Sequence, residues 1–505
     1  MRRRLVIGSL VALALVWVLP AGADDMRSDE EMDVTMVDED VDESEMKFRV
    51  TGQVRARYEY LWDYLEQSKD VNTNFDIAPY RAQIGVLGRF TDNVYGYIDL
   101  QAFGAFGDSI PDSSSQNSGS QALDTDFLEA TTVQLYQGFV DMKEIGGSNF
   151  DVRVGRAEHI IGNELHMGNN DFYNGLTFDG ARGWYDGGDR WDVGAYFYWA
   201  VERNTPVGNP LGVLAGPCSP DVIVFPCTTS SLNPSNTDAR VAGADFTWTF
   251  DQETGHYITG YAIQNTSRLE ASFGGAGDHE LNTVGLLWKR DVAEERGFDW
   301  SAEAATQFGS ITTTGNPDVD FGGYIVEGWL GYKLAGAHRF RLGGLLASGV
   351  AEDDASDEFN GWVPLFTDYH QDNRLGNLDL FNGTLYTNGV VPSSPGFGGI
   401  FGPVTFLTMS NVTNLNLRYE YERGKSYALI AVHDFQFTEE LDPTGVNISD
   451  IGQELDLLYR YQRTKHLTWE VAYSYFLPGD WYDEIYSPDD PEEISRFWIQ
   501  AALQW

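Results

Sequence analysis

Apolar and polar residues alternate along most of this chain, in runs separated by Gly, Asn, Asp and Pro. In residues 494–505, Phe497, Ile499, Ala501, Leu503 and Trp505 share one parity, while Arg496, Trp498, Gln500, Ala502 and Gln504 share the other. A period of two is that of an extended strand with two unlike faces. The first such run sets Arg49, Thr51, Gln53, Arg55, Arg57 and Glu59 against Val50, Gly52, Val54, Ala56, Tyr58 and Tyr60. Later runs oppose Leu415, Leu417, Tyr419 and Tyr421 to Asn414, Asn416, Arg418, Glu420 and Glu422, and Leu455, Leu457, Tyr459 and Tyr461 to Glu454, Asp456, Leu458 and Arg460. The pattern predicts strands near 48–62, 79–90, 94–107, 130–142, 148–156, 176–186, 190–202, 238–250, 255–268, 280–291, 297–309, 322–335, 338–349, 412–422, 426–438, 452–462, 467–476 and 494–505, eighteen in all.

The intervals between these runs alternate between short and long. Thr91-Asp92-Asn93, Gly187-Gly188-Asp189, Gly336-Ala337 and Arg423-Gly424-Lys425 are short, whereas 108–129, 203–237 and 350–411 are long. A soluble sandwich or propeller has no reason for this asymmetry, but an outer-membrane barrel has short periplasmic turns and long extracellular loops. The strand lengths suit the roughly 9–11 residues that a tilted strand needs to cross a bilayer. The expected fold is all-β: a single transmembrane antiparallel barrel of about eighteen strands. Its apolar faces would meet lipid, its charged faces would line a lumen, and Tyr and Trp at strand ends would form two interfacial girdles. A last strand that stops on Trp505, on its apolar face, resembles the signal by which barrel-assembly machinery recognises its clients.

Composition narrows the picture at the N-terminus. Met1-Arg2-Arg3-Arg4, the apolar run Leu5 to Leu19 and Ala21-Gly22-Ala23 have the order of a secretory signal peptide, with cleavage expected after Ala23. That run is shorter than the roughly 20 residues of a spanning helix, and no second one follows, which excludes a helical membrane protein. The net charge is −43, and residues 24–45 carry twelve acids against Arg27 alone. The expected organisation is therefore a signal peptide over 1–23, an acidic disordered periplasmic segment over 24–46 and the barrel over 47–505. Such acidity excludes nucleic acid as a partner. Cys218 and Cys227 lie in a Pro-containing stretch of the exported part, and a loop disulfide is expected there.

Barrels of roughly 16–18 strands leave an aqueous channel, so the default function is passage of a solute. The candidate lumen cations are Arg55, Arg57, Arg81, Arg153, Arg156, Arg240, Arg339, Arg341, Arg418, Arg460 and Arg496, set among Glu59, Glu420, Glu454 and Asp456. Arg156, Arg339 and Arg341 lie near strand ends and read as rim residues. The planar guanidinium fork grips carboxylates bidentately, so a ladder of arginines would attract a polyanion and pass it from site to site. The alternative is that the same arginines pair with neighbouring acids and brace the wall, since structural ion pairs are as frequent as functional ones.

Residues 152–187 run from Val152-Arg153-Val154-Gly155-Arg156 to Phe178-Asp179-Gly180-Ala181-Arg182 and on to Gly187. The stretch resembles the alginate export family of outer-membrane porins, with its "VGRQ…G…N…FDG" core. Arg156, Gly162, Asn174, Phe178, Asp179, Gly180 and Arg182 hold the matching positions, and Ala157 stands where the family usually has Gln. Pro364-Leu365-Phe366 through Tyr369-His370 and Gly376 to Asp379 are similar to the same family, as is Gly452 to Asp456 running on to Tyr473 through Asp480. The resemblance implies an eighteen-stranded monomeric barrel with an electropositive constriction that passes a polyuronate outward. It adds Asp179 and Arg182 to the candidate substrate-binding residues.

Other chemistry is weakly supported. Gly107-Asp108-Ser109-Ile110 is similar to one lipase nucleophile block but lacks a convincing His and Asp, without which a serine is not activated. No enzyme and no cofactor are expected. His159 and His166 read as hydrogen-bonding loop or lumen residues rather than metal ligands. Glu352-Asp353-Asp354 with Asp357-Glu358, and Asp489-Asp490 with Glu492-Glu493, read as a solvated rim over a Ca²⁺ site, since no calcium-loop pattern surrounds them. The sequence reading is a porin for an anionic polysaccharide or other anionic solute. A differently selective porin is the alternative, and a surface-binding barrel comes after it.

Overall fold

Each predicted run becomes a strand in the computed structural model, which describes residues 47–62, 75–106, 133–168, 177–200, 240–269, 277–291, 296–313, 318–334, 337–349, 358–362, 411–441, 447–485 and 493–505. Eighteen long strands follow one another: β1 (Lys47–Trp62), β2 (Pro79–Thr91), β3 (Val94–Ala105), β4 (Gln134–Met142), β5 (Phe150–Ala157), β6 (Phe178–Asp186), β7 (Trp191–Ala200), β8 (Arg240–Asp251) and β9 (His256–Leu269). They continue as β10 (Gly277–Arg290), β11 (Gly297–Thr313), β12 (Tyr324–Lys333), β13 (His338–Ala347), β14 (Val412–Arg423), β15 (Ser426–Leu441), β16 (Ile448–Thr464), β17 (Leu467–Pro478) and β18 (Ile494–Gln504). Three short pieces, Phe75–Ile77, Val319–Phe321 and Glu358–Phe359, add to the rim. The signal and acidic segments, Cys218 and Cys227, and Ser109 lie outside the described residues. So do Glu352, Asp353, Asp354, Asp357, Asp489, Asp490 and Glu492.

Every long strand pairs antiparallel with its neighbour in sequence, and β1 pairs with β18 from Gln53↔Gln504 to Trp62↔Ser495. The sheet closes on itself, so every strand has a partner on both sides and none is left as an edge. The strands β16 and β11 run further than the alternation predicts. Gly452 (φ 146) sits at a register shift against β15 where the pattern read a start, while Gly309 (φ 142), where it read an end, takes a positive φ within an unbroken ladder.

One parity of each strand faces outward and is apolar. Val50, Val54 and Tyr58 on β1, Val284, Leu286 and Trp288 on β10, and Leu415 and Leu417 on β14 are exposed, Leu415 at 58%. In water this would be one continuous apolar surface far larger than a soluble protein tolerates, so the outer wall is built for lipid. The end holding Lys47, Trp505 and the short turns carries an aromatic girdle. There Trp288 and Trp300 pack with ring centroids 5.4 Å apart, and the Trp288 indole donates to His256 Nε2 at 3.0 Å. Tyr185 stacks on Trp191 at 5.4 Å. The contrast between short and long connections is not absolute, since periplasmic 143–149, with its 3₁₀ turn, is as long as outer 270–276. In the outer connection after β17, the helix α1 (Asp480–Ile485) packs Trp481 on Phe437 at 5.0 Å.

Candidate functional site in the barrel interior

The opposite parity faces inward, and from β13 through the closing seam to β6 it is charged. At the seam, Arg496 Nη2 meets Glu59 Oε2 at 2.8 Å, and Arg57 Nη1 meets Glu59 Oε1 at 3.3 Å. Arg57 Nε donates to Gln500 Oε1 at 2.8 Å, and Gln500 Nε2 donates to Glu470 Oε2 at 2.8 Å. Glu470 also pairs with Arg460. This network ties β16, β17, β18 and β1 together. Next to it Arg55 lies opposite Arg81 in register, and Arg81 donates to Gln101 at 2.6 Å. On β5, Arg153 forms a bidentate pair with Asp141, 2.8 Å at each contact, and on β6 Arg182 approaches Asp245 at 3.3 Å.

On the other side of the seam, Arg339 meets Asp299 at 2.7 Å and Arg341 meets Glu420 at 3.3 Å. Arg418, opposite Arg341 in register, donates from Nε to Asn416 at 3.1 Å. Glu454 and Asp456 are buried on β16, with His433 Nε2 3.3 Å from Asp456 Oδ2. Several of these guanidiniums also lie over aromatic faces. Arg57 is 4.1 Å from the Trp498 ring, Arg81 4.9 Å from Tyr136, Arg153 3.9 Å from Phe139 and Arg341 4.1 Å from Trp329. A guanidinium held between a carboxylate and a ring has a fixed plane.

The arc from β7 to β12 is different. Among the described strand residues there, no arginine faces inward. The outer half of that arc is apolar: Tyr196, Tyr198, Val241, Tyr261, Ile263, Leu281 and Ile325 form one cluster with Phe178. Residues 158–168, between β5 and β6, fold inward onto this wall and bury Ile161, Leu165 and Met167 in it. The Asn163 N–H donates to Glu303 at 2.6 Å, and its side-chain amide donates to Ser301 and Glu327, both at 2.8 Å. His159 Nδ1 and the Tyr198 hydroxyl share a hydrogen bond of 3.2 Å, and His166 lies 3.4 Å from the Gln307 amide. Burial, with Arg182 and Arg153 nearby, holds His159 well below the usual imidazole range, and burial alone takes His166 down to about 3.

The structure thus places Arg55, Arg57, Arg81, Arg153, Arg182, Arg418, Glu454, Asp456, Arg460 and Arg496 on the inward face. Three candidates are elsewhere. Arg156 and Asp179 form a bidentate pair, 2.7 Å at each contact, on the outward face, level with exposed Trp199 in register. Arg240 follows Trp199 in the same row and also faces outward. The reason is the pleat: Arg153 and Arg156, Asp179 and Arg182, and Arg240 and inward Asp245 are separated by odd numbers of positions, so the members of each pair lie on opposite faces. Arg339 and Arg341 lie near the periplasmic mouth but are walled in rather than on the rim, Arg341 being 3% exposed. Of the acidic-loop residues, Glu358 lies in the short strand Glu358–Phe359 and Glu493 is exposed. Among the described residues no cluster of His, Cys, Asp and Glu is arranged to hold a metal ion. Sequence reasoning did not single out Asn163, Asp299, Glu303, Glu327 or Glu470. The parity of Asp299, Glu303, Glu327 and Glu470 on their strands marks them as inward, but nothing local marks Asn163.

Residues 228–489 match the model of the family described as Alginate export. No curated protein matches the chain. Among solved structures, the outer membrane protein OpdK of Pseudomonas aeruginosa is similar at 12% identity and a TM-score of 0.50, over 90% of this chain and 99% of that one. OpdQ of the same organism is similar at 12% identity and a TM-score of 0.51, over 91% of this chain and 98% of that one. At such identities the likeness is one of fold.

Proposed function

The chain belongs to the alginate export family and forms an outer-membrane porin channel, and from that premise we propose that it passes an anionic polysaccharide of polyuronate type, with the inward arginines as the attracting groups. The observation that supports this reading is the set of oriented, part-exposed inward arginines Arg153, Arg182 and Arg460, each over an aromatic ring. Their planes are already ordered, so a passing carboxylate does not have to order them, which lowers the entropic cost of each contact. Repeated weak sites along a wall allow a polymer to advance without being trapped.

A second reading has its own observation. Arg57, Arg153, Arg341, Arg460 and Arg496 each already face a carboxylate, which lowers the net positive potential of the wall. On that reading the channel discriminates less and serves smaller or less charged solutes. Reversal potentials in a planar bilayer, with and without oligouronates, separate the two for the wild type and the Arg418→Ala/Arg460→Ala variant. Anion preference with uronate block, both weakened in the double variant, is the expected result. Cation preference with no uronate effect would leave only the second reading.

A further inference from the structure

We infer that the outer wall carries a phospholipid site on its periplasmic half, with an acyl chain in a groove across β11, β12 and β13 and the headgroup phosphate on Arg290. The site faces the membrane rather than the lumen, so it does not depend on which solute is carried.

The groove follows from one row of the barrel register. Trp288, Ala302, Gly328, Gly344 and Leu415 are successive partners from β10 to β14, all on the outward parity. Three small residues thus stand between a Trp and a Leu that are each about half exposed. One row nearer the periplasm, Trp300, Leu330 and Leu342 stand high again, so the dip is walled on three sides. It holds about 550 Å³ and is lined almost wholly by apolar atoms, within the roughly 300–1,000 Å³ of ligand sites. Left empty, its lining would lose dispersion contacts on one side, and the material beside this wall is hydrocarbon.

The groove alone would take any apolar chain; the charge beside it selects a phosphate. Arg290 ends β10 on the same outward parity, opposite Trp300 in register. Its guanidinium lies 5.1 Å from the centroid of the Trp300 ring, and Trp300 is also a wall of the groove. Among the described residues Arg290 makes no hydrogen bond or ion pair, and its Nε is buried, so the Nη groups are the donors it presents. Arg156, outward near the other end of the wall, is held by Asp179, whereas Arg290 has no such carboxylate. A cation at the edge of hydrocarbon is costly without a counter-charge, and the aromatic girdle marks this level as that of the headgroups. The anions there are the phosphates of the inner leaflet. Ala302 lies two positions deeper than Trp300, about 7 Å along the strand, which gives the order of headgroup and then chain.

Native mass spectrometry of the full-length protein tests the site, with phosphatidylglycerol bearing palmitoyl and oleoyl chains added to the detergent solution. One lipid adduct forming well ahead of the rest is expected for the wild type. Arg290→Ala, which removes the phosphate contact, and Ala302→Leu, which fills the groove, are each expected to weaken that adduct several-fold. Arg156→Ala, whose charge is already paired, is expected to leave it unchanged. Wild-type binding in both Arg290→Ala and Ala302→Leu would overturn the site and leave an arginine that reaches water. Equal loss in all three variants would also overturn it, since binding would then follow the wall as a whole. Retention of heat-modifiable migration in detergent gels shows that each variant is folded.

Discussion

Arg153 and Arg156 each make a bidentate pair with an aspartate, and they face opposite sides of the wall. The strand that carries them turns on Gly155 at φ 133, where a Cβ would run into the Gly138 carbonyl and Phe139 Cα. Only glycine takes that conformation at no steric cost, so the "Val-Gly-Arg" pattern preserves a backbone shape. The part-exposed Arg156–Asp179 pair sits outside the lumen, near the outer end of the wall, where charges on the lipid-facing side change stability by about 0–1 kcal/mol. Arg156→Ala is therefore expected to keep the wild-type reversal potential and uronate response, and to lower the urea midpoint slightly. A shift in selectivity would show that the pair reaches the permeation path. Facing was legible in the sequence, because parity alone puts Arg156, Asp179 and Arg240 outside. What was not legible is which inward charges pair: Glu59 and Arg496 meet across 437 positions, and only the barrel register sets that contact.

At the scale of elements, the strands were readable because alternation is a local property, and the inward segment was not because its partners are remote. Ile161, Leu165 and Met167 carry no strand or helix period, and Asn163 meets Ser301 across 138 positions. The segment does have a pH signature. His166 is held near 3 when folded, against about 6.5 for a free imidazole. Between those values the unfolded chain binds the extra proton, so stability is whole above about pH 6.5 and is lost progressively as pH falls towards 3. The heat-denaturation midpoint in detergent should drop from neutral pH to about pH 4, and the drop should be shallower in His166→Gln, which does not titrate. An equal slope in both proteins would show that His166 is not the group that senses acid.

For the whole molecule, stability concentrates where the sheet closes. Glu59 and Arg496 are both nearly sequestered from solvent, and Arg57 and Gln500 extend the network across the join. Removing one partner of a buried pair costs about 3–5 kcal/mol, because the other charge stays buried. Glu59→Ala should therefore lower the urea midpoint by about 1–2 M or make unfolding stepwise, followed by tryptophan fluorescence. Loss no greater than that of Arg156→Ala would mean that the join is held by its backbone ladder alone. At the same join, Gly52 and Trp505 exchange backbone hydrogen bonds of 3.0 Å, and the Trp505 ring lies where a side chain on residue 52 would be.

The ring also orders events in time. Strand β1 leaves the secretion machinery first but gains its second neighbour only when β18 arrives, so until then hydrogen-bonding groups at both ends of a growing sheet stay unmatched in a medium that offers them none. A chain clipped before its last strand would leave β1 and β17 as unmatched edges rather than close into a narrower pore.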